Sequence, residues 1–223
     1  MALRPVILVH GLWHQPEHFA PLAEALAAAG LAVTAPRLHR GSFEADVAAV
    51  QEVVDVRSVP PVLLGHSYGG AVITDVTGAA HLVYLAGFVP DLGESSVSLN
   101  GRDGLINAAL RVLDDGSTEV RPELADEHLY ADCTPEQQAW ARSLLVPQSG
   151  RSGRGSPTRT AWRDTPSTYV VCTEDRTVAP AVQRRMAERC GTVIELEASH
   201  SAYLSRTADL AAILVALANG DDR

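Results

Sequence analysis

The sequence predicts an α/β fold, in which a mostly parallel sheet carries helices on both faces and an inserted, mainly helical cap. Short apolar runs alternate with longer runs whose apolar residues recur at helical spacing, and this alternation is typical of βαβ units. The short runs are almost continuously hydrophobic, as expected of parallel strands covered on both faces. The alternation stops between residues 90 and 165, which indicates an insertion between two strands.

Each predicted element of the core has its own signal. The short apolar runs predict strands at Val6–His10, Ala32–Ala35, Val62–Gly65, Leu82–Ala86, Tyr169–Thr173 and Thr192–Leu196. The amphipathic runs predict helices at Glu17–Ala29, Phe43–Val56, Gly69–Thr77, Val178–Cys190 and Thr207–Ala218. Gly30 follows the first of these helices, at the position where helices commonly end in a left-handed residue.

The insertion divides the chain into a core, residues 1–89 and 166–223, and a cap, residues 90–165. Within the cap the pattern predicts an extended piece at Thr118–Arg121 and helices at Gly104–Val112, Pro122–Tyr130 and Pro135–Leu145. The polar, glycine-rich run Ser149–Ser156 is expected to be mobile. An insertion this long favours a cap over the sheet. A surface excursion without function is the alternative.

The composition excludes several classes of function. The chain has 223 residues, which fits one domain with an insertion, and its formal charge is −9. All 18 basic residues are arginine, which excludes a Schiff-base lysine, a pyridoxal phosphate anchor and a P-loop lysine. An acidic chain without a basic run argues against nucleic acid or an anionic membrane as partner. We expect a small-molecule substrate, and either a monomer or a weak homodimer.

Cysteine usage and hydropathy predict the compartment. Cys133, Cys172 and Cys190 are odd in number, far apart and in no CxxC arrangement, so we expect free thiols in a reducing environment. The first apolar stretch, Pro5–Val9, is too short for the core of a signal peptide. No later run approaches the ~18 apolar residues of a membrane helix. A cytoplasmic protein is therefore expected.

The run GHSYGG at residues 65–70 is the sharpest signal of chemistry. It follows a predicted buried strand and precedes a predicted helix, so Ser67 falls on a tight strand-to-helix turn that exposes its hydroxyl. The Tyr68 N–H then begins the helix, where unpaired donors and the helix dipole favour an anion. These features predict that Ser67 is a nucleophile. A glycine-rich turn that merely packs is the alternative.

A serine nucleophile needs a base, and the base needs a carboxylate to orient it. Of the eight histidines only His200 follows the last predicted strand, at the carboxyl edge where Ser67 also lies. Asp175 follows the preceding strand, and the order serine, aspartate, histidine is the one expected with this turn. Two rival acids remain, Glu174 next to it and Asp91 after the fourth strand.

An oxyanion hole needs a second backbone donor beside the one at Tyr68. The run HGLWH at residues 10–14 follows the first strand, and its glycine allows a close approach to the serine, so the Leu12 N–H is the candidate. Trp13 either lines the substrate pocket or packs under the cap. In the cap, Trp140 and Leu144 belong to an apolar stripe that could line the pocket or seal the cap to the sheet.

The motifs HGLWH, GHSYGG, TYVVCTEDRTVAP and ASHSAYLS resemble the α/β-hydrolase superfamily, and most closely its small carboxylesterases, plant methyl-esterases and hydroxynitrile lyases. The resemblance covers nearly the whole chain, including the cap piece TPEQQAWARSLLVPQS. It implies a parallel sheet with a helical cap, and a triad that matches Ser67, Asp175 and His200 here. We expect no metal and no cofactor.

The leading hypothesis is a serine hydrolase that cleaves a small carboxylic ester through an acyl-enzyme. A thioesterase, a lactonase or a biosynthetic cyclase-like hydrolase would use the same residues. A ligand-binding member of the fold without turnover is a hypothesis of another class. The hydroxynitrile lyases that the chain resembles hold cyanide with a cap lysine, which this chain lacks.

Overall fold

The computed structural model describes residues 3–220. Its strands and α-helices, in chain order, are β1 (Val6–Val9), α1 (Ala20–Ala28), β2 (Val33–Thr34), α2 (Phe43–Asp55), β3 (Val62–His66), α3 (Tyr68–Thr74), β4 (His81–Leu85), α4 (Ser96–Asn100), β5 (Leu110–Val112), β6 (Thr118–Val120), α5 (Pro122–Leu129), α6 (Pro135–Ser143), β7 (Ser167–Cys172), α7 (Pro180–Ala187), β8 (Thr192–Leu196), α8 (Ala202–Ser205) and α9 (Thr207–Asn219). Short 3-10 helices lie at Pro16–Phe19, Leu105–Ala109, Ser152–Arg154 and Ala161–Arg163.

Six strands form one parallel sheet in the order β2-β1-β3-β4-β7-β8. Because successive side chains of a strand point to opposite faces, β1 sends Val6 and Leu8 into one hydrophobic cluster and Ile7 and Val9 into another. Helices α1, α8 and α9 cover the first face, and α2, α3 and α7 cover the second. The sequence-predicted fold class, a mostly parallel sheet between two helical layers, is confirmed.

Local signals explain where several helices begin and end. The Ser42 hydroxyl accepts the Ala45 N–H and caps α2. Thr134 and Gln137 form a capping box at the start of α6, in which each side chain bonds to the backbone N–H of the other residue. Gly30, which was predicted to end the first helix, has φ +84°, a conformation that costs glycine little.

The outermost strand differs from the sequence prediction. Strand β8 was expected to be covered on both faces, yet Val193 is about half exposed. The strand pairs only with β7, at one edge of the sheet. Its outer side is therefore less covered than the central strands β3 and β4, whose residues are all buried.

The cap contains a β-hairpin where the sequence predicted a helix over Gly104–Val112. A 3-10 helix occupies Leu105–Ala109, and β5 then pairs antiparallel with β6, with Leu110 opposite Val120. Gly116 has φ +80° in the connecting turn, whose Asp-Gly step favours a hairpin. The run 149–156, predicted to be mobile, includes the 3-10 helix whose Ser152 and Gly153 are buried.

Among residues 3–220, no helix combines the length and the apolar character that crossing a bilayer requires.

Candidate active site

Ser67 lies on a strained turn between β3 and α3, with φ 54° and ψ −120°. Its N–H donates to the Leu85 carbonyl, and its own carbonyl accepts the Phe88 N–H at 3.0 Å, so the turn is anchored to the neighbouring strand. A Cβ atom on Gly69 would lie 2.2 Å from the Val9 carbonyl oxygen, so no larger residue fits at this position. A positive φ at a serine is uncommon and persists only where the surroundings enforce it.

Asp175 and His200 follow β7 and β8 and form a buried hydrogen-bonded pair. The His200 Nδ1–H donates to Asp175 Oδ2 at 2.7 Å, which leaves Nε2 as the free acceptor of the ring. Asp175 Oδ1 accepts the N–H groups of Thr177 and Val178 at 2.6 and 3.0 Å. The Gln183 amide donates to Oδ2 at 2.8 Å, so four donors fix this carboxylate.

The loop that carries His200 is tied directly to the serine turn. The His66 Nε2–H donates to the His200 carbonyl at 3.0 Å, and the two imidazole rings lie 4.6 Å apart. Within residues 3–220 the Ser67 hydroxyl forms no hydrogen bond with His200. In ligand-free active sites this contact is often long and forms fully only with substrate bound. The backbone therefore brings the His200 loop beside Ser67, while the Ser67 hydroxyl is free to turn.

The two rival acids are placed elsewhere. The Asp91 carboxylate is partly exposed and pairs with Arg163 at 2.6 Å. Glu174 is exposed on the loop after β7. Of the three carboxylates that the sequence offered, Asp175 is the one that contacts His200.

The loop after β1 packs against Ser67. A Cβ atom on Gly11 would lie 3.0 Å from Ser67 Cβ, so the absence of a side chain allows this approach. The backbone N–H groups of Leu12 and Tyr68 donate no hydrogen bond within residues 3–220. Two unpaired N–H groups on the two segments that flank a serine hydroxyl could serve together as an oxyanion hole.

Buried histidines brace this loop. His10 bonds the Gly11 carbonyl through Nδ1 at 2.9 Å and accepts the Leu38 N–H at Nε2. The His14 Nδ1–H donates to the Leu12 carbonyl at 2.9 Å, and its Nε2 accepts the Tyr130 hydroxyl at 3.0 Å. Each ring therefore acts as a donor and an acceptor at once, which only the neutral imidazole can do.

Burial keeps these rings neutral. It lowers the pKa of His10 to about 3 and holds the pKa values of His14 and His66 well below the ordinary value. The rings of His14 and His66 lie 5.6 Å apart, so a charge on one ring disfavours a charge on the other. At neutral pH the imidazole rings of these three histidines near Ser67 are therefore uncharged.

Ser67 opens onto a cavity of about 480 Å³, a size typical of small-molecule sites. The core contributes Leu12, Trp13 and Val178 near the serine. Most other walls come from residues 96–154 of the cap. The cavity therefore lies between the carboxyl edge of the sheet and the cap.

The three predicted pocket residues have different positions. Trp13 lines the cavity and is anchored by its indole N–H, which donates to Thr118. Trp140 and Leu144 do not line it, although lining the pocket was one of the two roles predicted for the α6 stripe. Trp140 is 37% exposed and lies 6.2 Å from the His18 ring, while the Leu144 carbonyl accepts the Gln15 amide. Helix α6 seals the cap against the segment before α1.

The cap also holds the loops that carry Asp175 and His200. Asp132, between α5 and α6, accepts the N–H and the hydroxyl of Ser199, the residue before His200. The Thr177 hydroxyl, two residues after Asp175, donates to the His128 carbonyl of α5 at 2.7 Å. The segment that lies over the site therefore also positions two of its loops.

Several residues that support the site were not predicted from the sequence. His66 was visible inside the serine motif, but its bond to the His200 loop depends on tertiary packing. Gln183 lies on α7 eight residues after Asp175 and Asp132 lies in the cap, and no sequence pattern marks either as a partner of the site. Among residues 3–220, no group of three or more histidine, cysteine or acidic side chains is arranged to bind a metal ion.

Comparisons with known proteins were made on the sequence and on the fold. The model of the alpha/beta hydrolase family matches residues 6–213. The alpha/beta hydrolase nvfD of Aspergillus novofumigatus is 27% identical over 98% of both chains. The carbendazim hydrolyzing esterase of a Nocardioides species is 36% identical over 42% of this chain and 46% of its own length.

Two solved structures share the fold over nearly the whole chain. A pyrethroid hydrolase from Sphingobium faniae superposes with a TM-score of 0.85, at 23% identity and 98% coverage of each chain. A methylesterase from Arabidopsis gives a TM-score of 0.82, at 19% identity, covering 98% of this chain and all of its own. The predicted likeness to esterases of the plant methyl-esterase type is confirmed at the level of the fold.

Proposed function

The chain belongs to the alpha/beta hydrolase family, and from that premise we propose that it is a carboxylesterase-type serine hydrolase. Ser67 is the nucleophile, His200 the base and Asp175 the acid that orients the base. The backbone N–H groups of Leu12 and Tyr68 form the oxyanion hole. The substrate is a small carboxylic ester that fits the cavity above Ser67.

The reaction proceeds through an acyl-enzyme. The Ser67 oxygen attacks the ester carbonyl carbon while His200 Nε2 takes the hydroxyl proton. The carbonyl oxygen becomes an oxyanion that the two backbone N–H groups stabilise. His200 returns its proton to the leaving alcohol as the ester bond breaks. A water molecule then attacks the acyl group while His200 takes its proton. His200 gives this proton to the Ser67 oxygen as the carboxylic acid leaves, which restores the free enzyme.

The observation that carries this proposal is the Asp175–His200 hydrogen bond at 2.7 Å beside a strained serine turn. The carboxylate holds the Nδ1–H tautomer, which is the one that leaves Nε2 free to accept the serine proton. The fixed carboxylate also stabilises the imidazolium that forms in each half-reaction. The esterases among the comparisons support the same class of reaction.

Labelling with a fluorophosphonate probe tests the nucleophile, with Ser67→Ala as the matched control. We expect the probe to label the natural chain and not the variant. Hydrolysis of p-nitrophenyl esters by Ser67→Ala should fall roughly 10⁴–10⁶-fold, because a triad loses most of its benefit when one member is removed. Unlabelled protein with no turnover would favour a ligand-binding role, and a variant retaining more than a tenth of the rate would contradict the nucleophile. Thioesters and lactones, assayed in parallel, distinguish the related acyl substrates.

A further inference from the structure

The wall of the cavity carries charge of only one sign. Arg102 and Arg154 line it, and none of the described residues that line it is aspartate or glutamate. The whole chain shows the opposite balance, with 27 acidic residues and 18 basic ones. The cavity that contains Ser67 is thus a locally cationic site in an acidic protein.

Both arginines belong to segments that pack against each other and against the loop after β1, which carries Leu12. Arg102 lies just beyond α4, and Arg154 ends the 3-10 helix that packs on α4. A Cβ atom on Gly153 would lie 3.3 Å from Val97 Cγ2 and 3.4 Å from Leu12 Cδ1. The two cationic segments therefore continue the same wall that begins beside the serine.

Neither guanidinium has an acidic partner within residues 3–220. Arg102 forms no side-chain hydrogen bond, and Arg154 uses only its Nε–H, which donates to the Gly150 carbonyl at 3.1 Å. Several other arginines on the surface do have an acidic partner, for example Arg163 with Asp91 and Arg184 with Glu195. The Gly150 contact orients the Arg154 side chain and leaves its two terminal nitrogens available.

We propose that the substrate is an ester that carries a second, anionic group, a carboxylate, at the end remote from the scissile bond. Arg102 and Arg154 bind this carboxylate at the cavity wall while the apolar middle of the substrate contacts Trp13 and Val97. The proposal rests on the esterase function argued above and specifies its substrate class.

Guanidinium chemistry suits this role. Its planar set of N–H donors matches the two oxygens of a carboxylate and stays charged at any physiological pH. Because both arginines are exposed, solvent and salt screen the interaction. We therefore expect an effect of about tenfold in kcat/KM, the combined size of two well-placed but solvated charge contacts.

Two matched pairs of substrates test the proposal. p-Nitrophenyl hydrogen adipate and p-nitrophenyl hexanoate differ by a carboxylate on the acyl side. 4-Carboxyphenyl acetate and phenyl acetate differ by a carboxylate on the alcohol side. In one of the pairs we expect the charged ester to be favoured about tenfold at low ionic strength, and we expect the preference to shrink in roughly 0.5 M NaCl as the Debye length shortens.

The variant Arg102→Gln/Arg154→Gln should reduce that preference about tenfold. Arg185→Gln is the matched control, since Arg185 is an exposed arginine on α7 that does not line the cavity, and its preference should equal that of the natural chain. No preference in either pair, a preference that survives the double variant, or an equal loss in Arg185→Gln would overturn the proposal. Hydrolysis of the neutral esters separates this result from the proposed function, because a chain that cleaves none of the four esters refutes the esterase itself.

Discussion

The loops that hold Asp175 and His200 differ from the cap wall in how completely their polar groups are paired. The Asp175 carboxylate accepts four hydrogen bonds from loops and helix α7. On the cap wall, Ser96 Oγ and Gln148 Oε1 are buried without a protein partner among residues 3–220, and the Arg102 guanidinium has none there either. The chain therefore fixes the Asp175 carboxylate and the His200 ring, and leaves several polar groups of the cavity wall unpaired.

This difference has a physical reason. A base must hold its tautomer and position before the substrate arrives, and a fully paired carboxylate provides that order. Binding groups that are already paired would have to break those bonds to accept a ligand, and leaving a buried group unpaired costs about 1–3 kcal/mol. Such a cost is expected where a ligand offsets it, which is the case for a cavity wall and not for a catalytic pair.

Replacing Asp175 disrupts the hydrogen-bonded pair that it forms with His200. Asp175→Asn should lower kcat about 10⁴-fold, because an amide at this position favours the wrong tautomer of His200, as the same change does in serine proteases. Asp91→Asn and Glu174→Gln are the matched controls, and we expect both to stay near the rate of the natural chain. Steady-state hydrolysis of p-nitrophenyl acetate measures all three. If Asp91→Asn is the most impaired, the acid comes from the end of β4 instead.

The two regions also differ in how far the sequence predicted them. The strands β3 and β4 were predicted to within a residue, because their apolar runs are continuous. Asp175 and His200 could be selected because parallel strands bring their carboxyl ends to one edge. The cap was predicted less accurately, because the apolar spacing in residues 104–112 fits a helix. Leu110–Val112 is a strand only because it pairs with β6 across a turn. The pairing state of Arg102 depends on distant segments and leaves no local pattern.

Low pH should destabilise the fold around the buried histidines near Ser67. The folded chain holds the pKa of His10 at about 3 and those of His14 and His66 well below 6.5, whereas the unfolded chain restores the ordinary value. The unfolded state then binds more protons below pH ~6.5, so stability is complete above that pH and falls as the pH drops toward ~3. The expected slope is about 1.4 kcal/mol per pH unit for each histidine.

Urea unfolding between about pH 7.5 and 4.5 measures this slope. His10→Gln removes one titrating group and keeps an acceptor for the Leu38 N–H, so its slope should be smaller by about 1.4 kcal/mol per pH unit. Gln137→Met in α6 changes a polar side chain that does not titrate, so it is the control and should leave the slope unchanged. A free energy of unfolding that stays flat over this range would show that the three rings are not held neutral.

A smaller effect is expected from the amide that supports Asp175. Gln183→Met removes one of the four donors to the carboxylate and keeps the volume of the side chain. We expect kcat to fall about tenfold with little change in KM, because the carboxylate loses orientation and not its contact with His200. Gln137→Met in α6, which loses a bond to the Leu204 carbonyl away from the triad, is the control. Equal losses in kcat for the two variants would reduce Gln183 to a purely structural role.

The smallest effects are changes in stability of opposite sign at two buried serines of the cap. Ser96→Ala removes a buried hydroxyl that has no protein partner among residues 3–220, so we expect the free energy of unfolding to rise by about 1 kcal/mol. Ser152→Ala, nearby in the cap, removes the acceptor of the Gln148 amide and should lower it by about 1–3 kcal/mol. Urea unfolding of the two variants at neutral pH makes the comparison. A loss of stability in Ser96→Ala would mean that the Ser96 hydroxyl is hydrogen-bonded through water. The polar groups of the cavity wall would then be as fully paired as those of the loops that carry Asp175 and His200. A gain in stability supports the view that this wall keeps polar groups free for a ligand.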